Sequence, residues 1–176
     1  SQNSGALLTT LNLAGSGTLG IIGTLADSIT TINATTSSAN LMLTTGTGDD
    51  TITTGSGDDA ITLTGGTNNI NGGDGNNTIN LSTGSDTVST GSGVDIIVAA
   101  AGTNNITTSA NNDQITLTGG TNTVNSGADD DVVTASGGDS SIITESGSDQ
   151  VTLTGGTNAV NTGSSNDVVS VSGGVN

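Results

Sequence analysis

The sequence predicts an all-β protein, a parallel β-solenoid whose 18-residue coils each consist of two nonapeptide half-coils. Three observations predict this fold: a nine-residue period of β-branched residues, an alternation between two kinds of half-repeat, and glycine-rich turns between them. A conventional globular core is not expected, because the 176-residue chain has no aromatic residue and is only 30% hydrophobic.

The strongest of these observations is an Ile or Val at every ninth position from Ile52 to Val169. The positions are Ile52, Ile61, Ile70, Ile79, Val88, Ile97, Ile106, Ile115, Val124, Val133, Ile142, Val151, Val160 and Val169. Such residues favour extended backbone, and a spacing of nine fits neither a helix face nor a heptad. It fits one short strand and one turn, and it argues against disorder, the alternative that so hydrophilic a composition raises.

The residue two positions later faces the same side of the strand, and it alternates between two chemical types. One series is aliphatic: Leu63, Leu81, Ala99, Leu117, Ala135, Leu153 and Val171. The other is hydroxyl or glycine: Thr54, Gly72, Thr90, Thr108, Ser126, Thr144 and Thr162. Each series recurs every 18 residues, so one coil has two unequal halves.

Turn residues separate the strands, with a glycine usually four positions before each Ile or Val and an Asp or Asn two positions before it. Glycine permits positive φ, and Asp and Asn side chains bond turn amides. On one edge of the solenoid this second position is mostly acidic: Asp59, Asn77, Asp95, Asp113, Asp131, Asp149 and Asp167. On the other edge it is mostly neutral: Asp50, Asn68, Asp86, Asn104, Asn122, Ser140, Asn158 and Asn176.

The charge balance limits the partners of the chain. Sixteen acidic residues and no Lys, Arg or His give a formal net charge of −16, so we expect no nucleic-acid binding. No apolar run is long enough for membrane insertion. His, Cys, Lys and Tyr are all absent, which removes triads, zinc sites and Schiff bases, and we expect no enzyme activity.

The acidic column indicates a cation. Stacked coils place equivalent residues about 4.8 Å apart, where two carboxylates repel by about 0.9 kcal/mol even in bulk water. Because all available ligands are oxygens, the hard cation Ca²⁺ fits best. The alternative is that these side chains only form turns and remain partly solvated.

The segment Thr45–Thr53 resembles the RTX (repeats-in-toxin) nonapeptide, Gly-Gly-x-Gly-x-Asp-x-apolar-x, and so do Thr54–Thr62 and Gly72–Asn80. The resemblance covers roughly residues 45–176. It implies a β-roll that binds Ca²⁺ through Asp carboxylates and turn carbonyls and that is secreted, usually by bacteria. Most repeats lack the first glycine, and the Leu-Thr-Gly-Gly-Thr-Asn turns lack the Asp, so we expect few or no ions on the neutral edge.

The acidic column and the resemblance together predict a set of metal-binding residues. They are Asp49, Asp50, Asp58, Asp59, Asp74, Asn77, Asp95, Asp113, Asp131, Asp149 and Asp167.

The chain divides at residue 44. Residues 1–44 do not keep the nine-residue step, although they contain short apolar strands, and we expect irregular coils, a cap or a subunit-docking segment; a short helix over 24–29 is an alternative. Residues 45–176 form the nonapeptide solenoid. The last segment, Val171–Asn176, repeats a solenoid turn without a polar cap, which predicts head-to-tail stacking of the chain with itself. Truncation of a longer chain is the other explanation.

These expectations favour a secreted structural repeat protein that stacks into an extracellular filament, sheath or surface layer and is stabilised by Ca²⁺. One alternative is a β-roll repeat domain of a larger secreted toxin, adhesin or enzyme. A minor alternative is an ice-binding solenoid, for which outward threonines would form rows. Those rows are interrupted, for example by Asn80 and Val98.

Overall fold

A computed structural model describes residues 7–176, which form a parallel β-solenoid of two nine-stranded sheets. The predicted fold class is confirmed. Residues 7–176 contain strands and turns only, and therefore no helix that could cross a membrane.

Successive strands alternate between the two sheets. Sheet 1 contains β1 (Thr10–Asn12), β3 (Thr31–Asn33), β5 (Thr51–Thr53), β7 (Asn69–Asn71), β9 (Thr87–Ser89), β11 (Thr103–Thr107), β13 (Thr121–Asn125), β15 (Asp139–Ile143) and β17 (Asn158–Asn161). Sheet 2 contains β2 (Ser16–Thr24), β4 (Ser38–Thr44), β6 (Ala60–Thr62), β8 (Thr78–Leu81), β10 (Ile96–Ala99), β12 (Gln114–Leu117), β14 (Val132–Ala135), β16 (Gln150–Leu153) and β18 (Val168–Val171). All pairings are parallel between strands of successive coils.

The register of the strands keeps the 18-residue period of the sequence. Ile61 pairs with Ile79, and Ile79 pairs with Ile97, so these aliphatics are neighbours in one column. This pairing places chemically equivalent residues in successive coils next to each other. Columns of one residue type therefore run along the solenoid.

The N-terminal coils belong to the same two sheets but are longer. Thr10 pairs with Thr31 and Ser16 with Ser38, steps of 21 and 22 residues, before the 18-residue step begins between β4 and β6. The alternative of a helix over 24–29 is wrong, since β2 runs through Thr24 and a turn follows it. The short apolar strands expected in this region fall within β1 to β4. Whether the region acts as a cap or a docking segment remains a prediction, and residues 1–6 lie outside the described part.

The apolar core is displaced towards one side of the coil. The Ile and Val column of each sheet is almost fully buried from Ile52 to Val151. Beside it, Leu63, Leu117 and Leu153 fill the interior at the turn that leads from sheet 2 to sheet 1. Burial of each such side chain stabilises the fold by about 1.5–3 kcal/mol. At the opposite turn the same interior position holds buried hydroxyl residues, so that corner is polar.

Candidate metal centre

The two turns of each coil form two continuous edges of the solenoid. We call the turns that lead from sheet 1 to sheet 2, such as residues 54–59, the acidic edge. We call the turns that lead from sheet 2 to sheet 1, such as residues 63–68, the amide edge. In both, the residue two positions before the Ile or Val of the following strand points inward, and we call it the inner residue. Most inner residues are almost completely buried, from Asp50 to Asn158.

Backbone hydrogen bonds hold the inner carboxylates of the acidic edge in place. The N–H of Asp95 donates to Oδ1 of Asp113 (2.8 Å), and the N–H of Asp113 donates to Oδ1 of Asp131 (2.8 Å). The same bond joins Asp131 to Asp149 and Asp149 to Asp167. Each carboxylate is therefore fixed in the interior of its turn by the preceding coil.

The second oxygen of these carboxylates is left without a hydrogen-bond partner. Within residues 7–176, buried Oδ2 atoms lack a partner on the acidic edge at Asp59, Asp95, Asp113, Asp131 and Asp149, and on the amide edge at Asp50 and Asp86. A buried carboxylate oxygen without a partner is strongly unfavourable. No Lys or Arg in the sequence can compensate it.

Burial shifts the protonation of this column. Desolvation raises the pKa of Asp113 to about 7 and the pKa of Asp131 to about 6. It also raises the pKa values of Asp59 and Asp95 above their usual range. At Asp113 and Asp131, burial therefore favours a proton or a neighbouring cation near neutral pH.

The other predicted acidic ligands lie on the outside of the turns. Asp49 accepts the N–H of Thr67 (2.7 Å), and Asp58 accepts the N–H of Asn76 (2.8 Å). Asp74 accepts both the N–H and the hydroxyl of Ser92, which lower its pKa. These exposed carboxylates bond forward to the next coil, whereas the inner ones accept from the preceding coil. Their role as metal ligands remains a prediction.

The amide edge closes its turns with its own side chains. Nδ2 of Asn122 donates to the carbonyl oxygen of Gly119 (3.0 Å), and Nδ2 of Asn104 donates to Oδ1 of Asn122 (2.9 Å). Asn158 repeats the bond to the carbonyl three residues earlier. The amide N–H groups bind the turn carbonyl and the next side-chain oxygen, which are the groups that a cation would otherwise bind.

Asn77 uses a similar device on the acidic edge. Its Nδ2 donates to the carbonyl oxygen of Gly75 (3.0 Å), while its Oδ1 accepts the N–H of Asp59 (3.0 Å). The side chain predicted as a metal ligand thus already has partners for both ends of its amide. Its Oδ1 retains one lone pair for a further contact.

The donor set fits a hard cation. No three acidic side chains converge within residues 7–176, so carboxylates alone do not complete a site, and Ca²⁺ takes six to eight oxygen ligands. The remaining ligands would be turn carbonyls, such as that of Ser109, which accepts one N–H from Ala128 and keeps a second lone pair. The partnerless Oδ2 atoms supply the negative charge, and every available donor is oxygen.

A parallel solenoid of nonapeptide half-coils with buried carboxylates in its turns defines the class of calcium-binding β-rolls. The sequence profile of the RTX calcium-binding nonapeptide repeat, which contains four copies, matches residues 42–70, 62–97, 98–133, 125–160 and 134–169. These matches together span more than half of the chain, and the protein belongs to the RTX repeat family. Ca²⁺ is the ligand of such repeats. No curated protein and no solved structure matches the chain with significance.

Sequence reasoning missed one buried acid and the role of one column. Asp86 lies on the amide edge, is buried and has a partnerless Oδ2 within the described residues. The sequence signal for this buried acid was an Asp at a position that is Asn in most other coils. The inward hydroxyl column was recognised as a periodic series, but the sequence alone did not connect it with the carboxylates.

Proposed function

We propose that this protein is a secreted, non-catalytic structural segment that stacks head to tail with copies of itself, with Ca²⁺ stabilising its acidic edge. RTX repeats are structural, calcium-binding elements, and proteins that contain them are typically secreted by bacteria. The observation that carries the stacking proposal is the exposure of core positions at both ends of the solenoid.

At the C-terminal coil the aliphatic columns reach solvent. Val169 and Val171 are 45% and 53% exposed, whereas Val151 and Leu153, one coil earlier, are each 1% exposed. Strands β17 and β18 are the last strands of their sheets and have a free edge. A further coil placed on this face would bury both valines and continue both sheets.

The N-terminal coil presents a compatible surface. Strands β1 and β2 are the outer strands of the same two sheets, and Leu19 and Ile21 are only partly buried. The first acidic residue in the sequence is Asp27. A junction with the C-terminal coil therefore brings Asp167 next to an acidic-edge turn without acids, residues 13–15, which avoids repulsion between like charges. Both ends run in the same strand direction, so translation of one chain onto the next extends the sheets and produces an open filament.

The experiment is sedimentation velocity and negative-stain microscopy of the purified chain over a concentration series, with Ca²⁺ and with chelator. We expect rods that lengthen with concentration in Ca²⁺. The Val169→Asp variant should remain short, because it places a charge in the junction. Val132→Asp, which changes an exposed valine on the outer face of sheet 2, is the matched control and should still form rods.

The alternative proposal, a β-roll domain within a larger secreted protein, is supported by the same exposed ends. Neighbouring coils of one polypeptide would cover them equally well. A chain that takes up Ca²⁺ but remains monomeric at every concentration would contradict self-stacking and favour this alternative.

A further inference from the structure

The inner acids of this protein are paired in sequence with hydroxyl residues. Seven inner Asp residues are each preceded by a Thr or Ser five positions earlier. The pairs are Thr45 and Asp50, Thr54 and Asp59, Thr90 and Asp95, Thr108 and Asp113, Ser126 and Asp131, Thr144 and Asp149, and Thr162 and Asp167. The inner Asn residues are instead preceded by an aliphatic residue or glycine: Leu63 before Asn68, Gly72 before Asn77, Ala99 before Asn104, Leu117 before Asn122, Leu153 before Asn158 and Val171 before Asn176. Only Asp86, which follows Leu81, lacks the hydroxyl.

This pairing follows the chemistry of the inner residue and not the edge. Thr45 and Asp50 lie on the amide edge and keep the pair, while Gly72 and Asn77 lie on the acidic edge and lose it. The turns with an inner Asn have the same backbone register as the turns with an inner Asp. If the hydroxyl only stabilised the turn conformation, it should therefore also precede the inner Asn residues. The hydroxyl therefore accompanies the carboxylate itself.

The structure buries these hydroxyl groups beside the carboxylates. Thr108 and Ser126 are almost completely buried, and the hydroxyl of Thr108 lies within reach of the Asp113 carboxylate. The Thr108 hydroxyl donates its single hydrogen to the carbonyl oxygen of Ser126 in the next coil (2.8 Å). Thr54 donates in the same way to the carbonyl oxygen of Gly72 (2.6 Å).

A hydroxyl has one hydrogen and two lone pairs. Because that hydrogen is used by the carbonyl, Thr108 faces Asp113 with lone pairs, and Oδ2 of Asp113 has no hydrogen-bond partner among the described residues. At Thr90 and Ser126 the buried hydroxyl gives its hydrogen to no carbonyl within residues 7–176, so it can donate to the carboxylate of Asp95 or Asp131 and keeps its lone pairs free. Where the hydrogen is used by a carbonyl, as at Thr54 and Thr108, two electron-rich oxygens face each other in a buried corner and favour a positive species between them.

We propose that these inward hydroxyl oxygens are direct side-chain ligands of the Ca²⁺ ions on the acidic edge, together with Oδ2 of the paired Asp. The inference rests on the proposed calcium binding at this edge and adds a ligand that the turn backbone does not supply. Thr54, Thr90, Thr108, Ser126 and Thr144 occupy this position next to a partnerless carboxylate oxygen. The neutral hydroxyl adds a donor without adding to the repulsion within the acidic column.

The test uses Thr108→Val, which removes the oxygen and retains the shape, and Thr108→Ser, which restores the oxygen. Thr116→Val, on the outer face of the same coil, is the matched control. Isothermal titration with Ca²⁺ after chelation measures the affinity and number of ions, and the luminescence lifetime of bound Tb³⁺ reports how many waters the ion retains. Circular dichroism checks that each variant is folded.

We expect Thr108→Val to weaken or lose the ions next to Asp113, with at least about a tenfold loss of affinity, as removal of groups around metal sites typically produces. Tb³⁺ at the remaining site should gain about one water. Thr108→Ser and Thr116→Val should behave as the parent chain. If Thr108→Val is less stable but binds the same ions with the same affinity and Tb³⁺ hydration, the hydroxyl serves only the Ser126 carbonyl, and the inference is overturned.

A parent chain that takes up no Ca²⁺ at all would overturn the proposed calcium stabilisation and this inference with it. Normal uptake by the parent combined with unchanged uptake by Thr108→Val would overturn the hydroxyl ligand alone. The two failures are therefore distinguishable.

Discussion

The acidic edge and the amide edge of each coil share one backbone register but differ in the side chains that fill their turns. On the amide edge, Asn104 donates N–H groups to Oδ1 of Asn122 and to a turn carbonyl, and Asn122 donates to the turn carbonyl of Gly119. On the acidic edge, Asp113 and Asp131 each present an Oδ2 without a hydrogen-bond partner among the described residues, and burial raises their pKa values to about 7 and about 6. The Asn turns of the amide edge are thus closed by their own amides, whereas the inner Asp residues, including Asp50 and Asp86 on the amide edge, keep an oxygen without a partner among the described residues.

This difference assigns separate roles to the two edges. We expect the Asn turns of the amide edge and the aliphatic column beside them to hold the coils together with or without calcium. The acidic edge adds stability only when its charges are compensated. Stability of the solenoid is therefore linked to the ionic environment through one edge of the molecule.

The largest expected effect is that of calcium removal. Each site saturated at about 100 times its dissociation constant adds about 2.7 kcal/mol to the free energy of unfolding, and the proposal places several sites along one column. We expect chelation to lower the melting temperature in calorimetry. Amide hydrogen exchange should accelerate first in acidic-edge turns such as 108–113, and later in amide-edge turns such as 117–122. Mg²⁺ at equal concentration is the control and should restore little, since it requires a stricter octahedral geometry.

Equal loss of protection at both edges on chelation would contradict the comparison. It would mean that the amide edge also depends on the ion.

The next effect is that of moving a carboxylate to the amide edge. Asn122→Asp loses the Nδ2 bond to the Gly119 carbonyl and buries a charge beside Leu117, without the hydroxyl that accompanies other inner acids. We expect a loss of about 3 kcal/mol in the free energy of unfolding at neutral pH, measured by urea denaturation with chelator present.

The reverse change on the acidic edge is its matched counterpart. Asp113→Asn removes a partnerless charge, so the calcium-free protein should become more stable while its gain from Ca²⁺ falls. If both substitutions destabilise the calcium-free chain equally, the edges do not differ in the way described.

A smaller effect is expected from the glycines that recur on the amide edge. Gly156 has a φ of +81°, and a Cβ there would collide with the carbonyl oxygen of Gly138. Gly156→Ala should lower the free energy of unfolding by about 1–3 kcal/mol, from the strained conformation. The neighbouring Gly155→Ala is the control, since its Cβ would meet only ordinary contacts. Thermal melts of the two variants measure the difference, and equal melting temperatures would rule out the positive-φ requirement.

The acidic edge is less strict at the equivalent position. Asn111, Asp129 and Ser165 adopt positive φ there without being glycine. Asn and Asp tolerate this conformation better than most residues, so this glycine of the RTX pattern can be replaced on the acidic edge.

A further expected effect is that of pH on the calcium-free protein. Because burial raises the pKa values of Asp113 and Asp131 to about 7 and about 6 from a usual value near 3.8, the folded state binds more protons than the unfolded state between about pH 4 and pH 7. The free energy of unfolding should therefore fall as pH rises through this range and level off above it. Urea denaturation at several pH values with chelator measures this slope. The slope should be smaller in Asp113→Asn. A slope of the opposite sign would contradict the raised pKa values.

The sequence predicted the fold well because each structural column consists of one residue type. The Ile and Val series predicts the strands at a nine-residue spacing, and the alternating series two positions later predicts the 18-residue coil and its register. The first coils could not be predicted in the same detail, because their steps of 21 and 22 residues occur once and give no period. Their strands could be recognised near Leu11 and Leu41, but the turns between them could not.

The site was only partly predictable, because adjacent acids have different surroundings. Asp49 and Asp50 are neighbours in sequence, yet Asp49 is exposed and bonds to the next coil, while Asp50 is buried with a partnerless oxygen. Successive side chains of an extended chain point to opposite sides, which explains why one of these neighbouring acids is exposed and the other is buried. Sequence alone did not show which oxygen already had a partner, and this is why Asn77 was included among the predicted ligands although its amide closes its own turn.

The nine-residue alternation also restricts how such a molecule can change in length. Removal of 18 consecutive residues shortens the solenoid by about 4.8 Å and leaves every column continuous. Removal of nine residues would rotate all later coils by half a turn. Leu117 would then stack on the column of threonines, and the acids after the deletion would lie on the opposite edge from the acids before it. Insertions and deletions that keep the columns intact therefore come in whole coils, even though the repeat visible in the sequence is half as long.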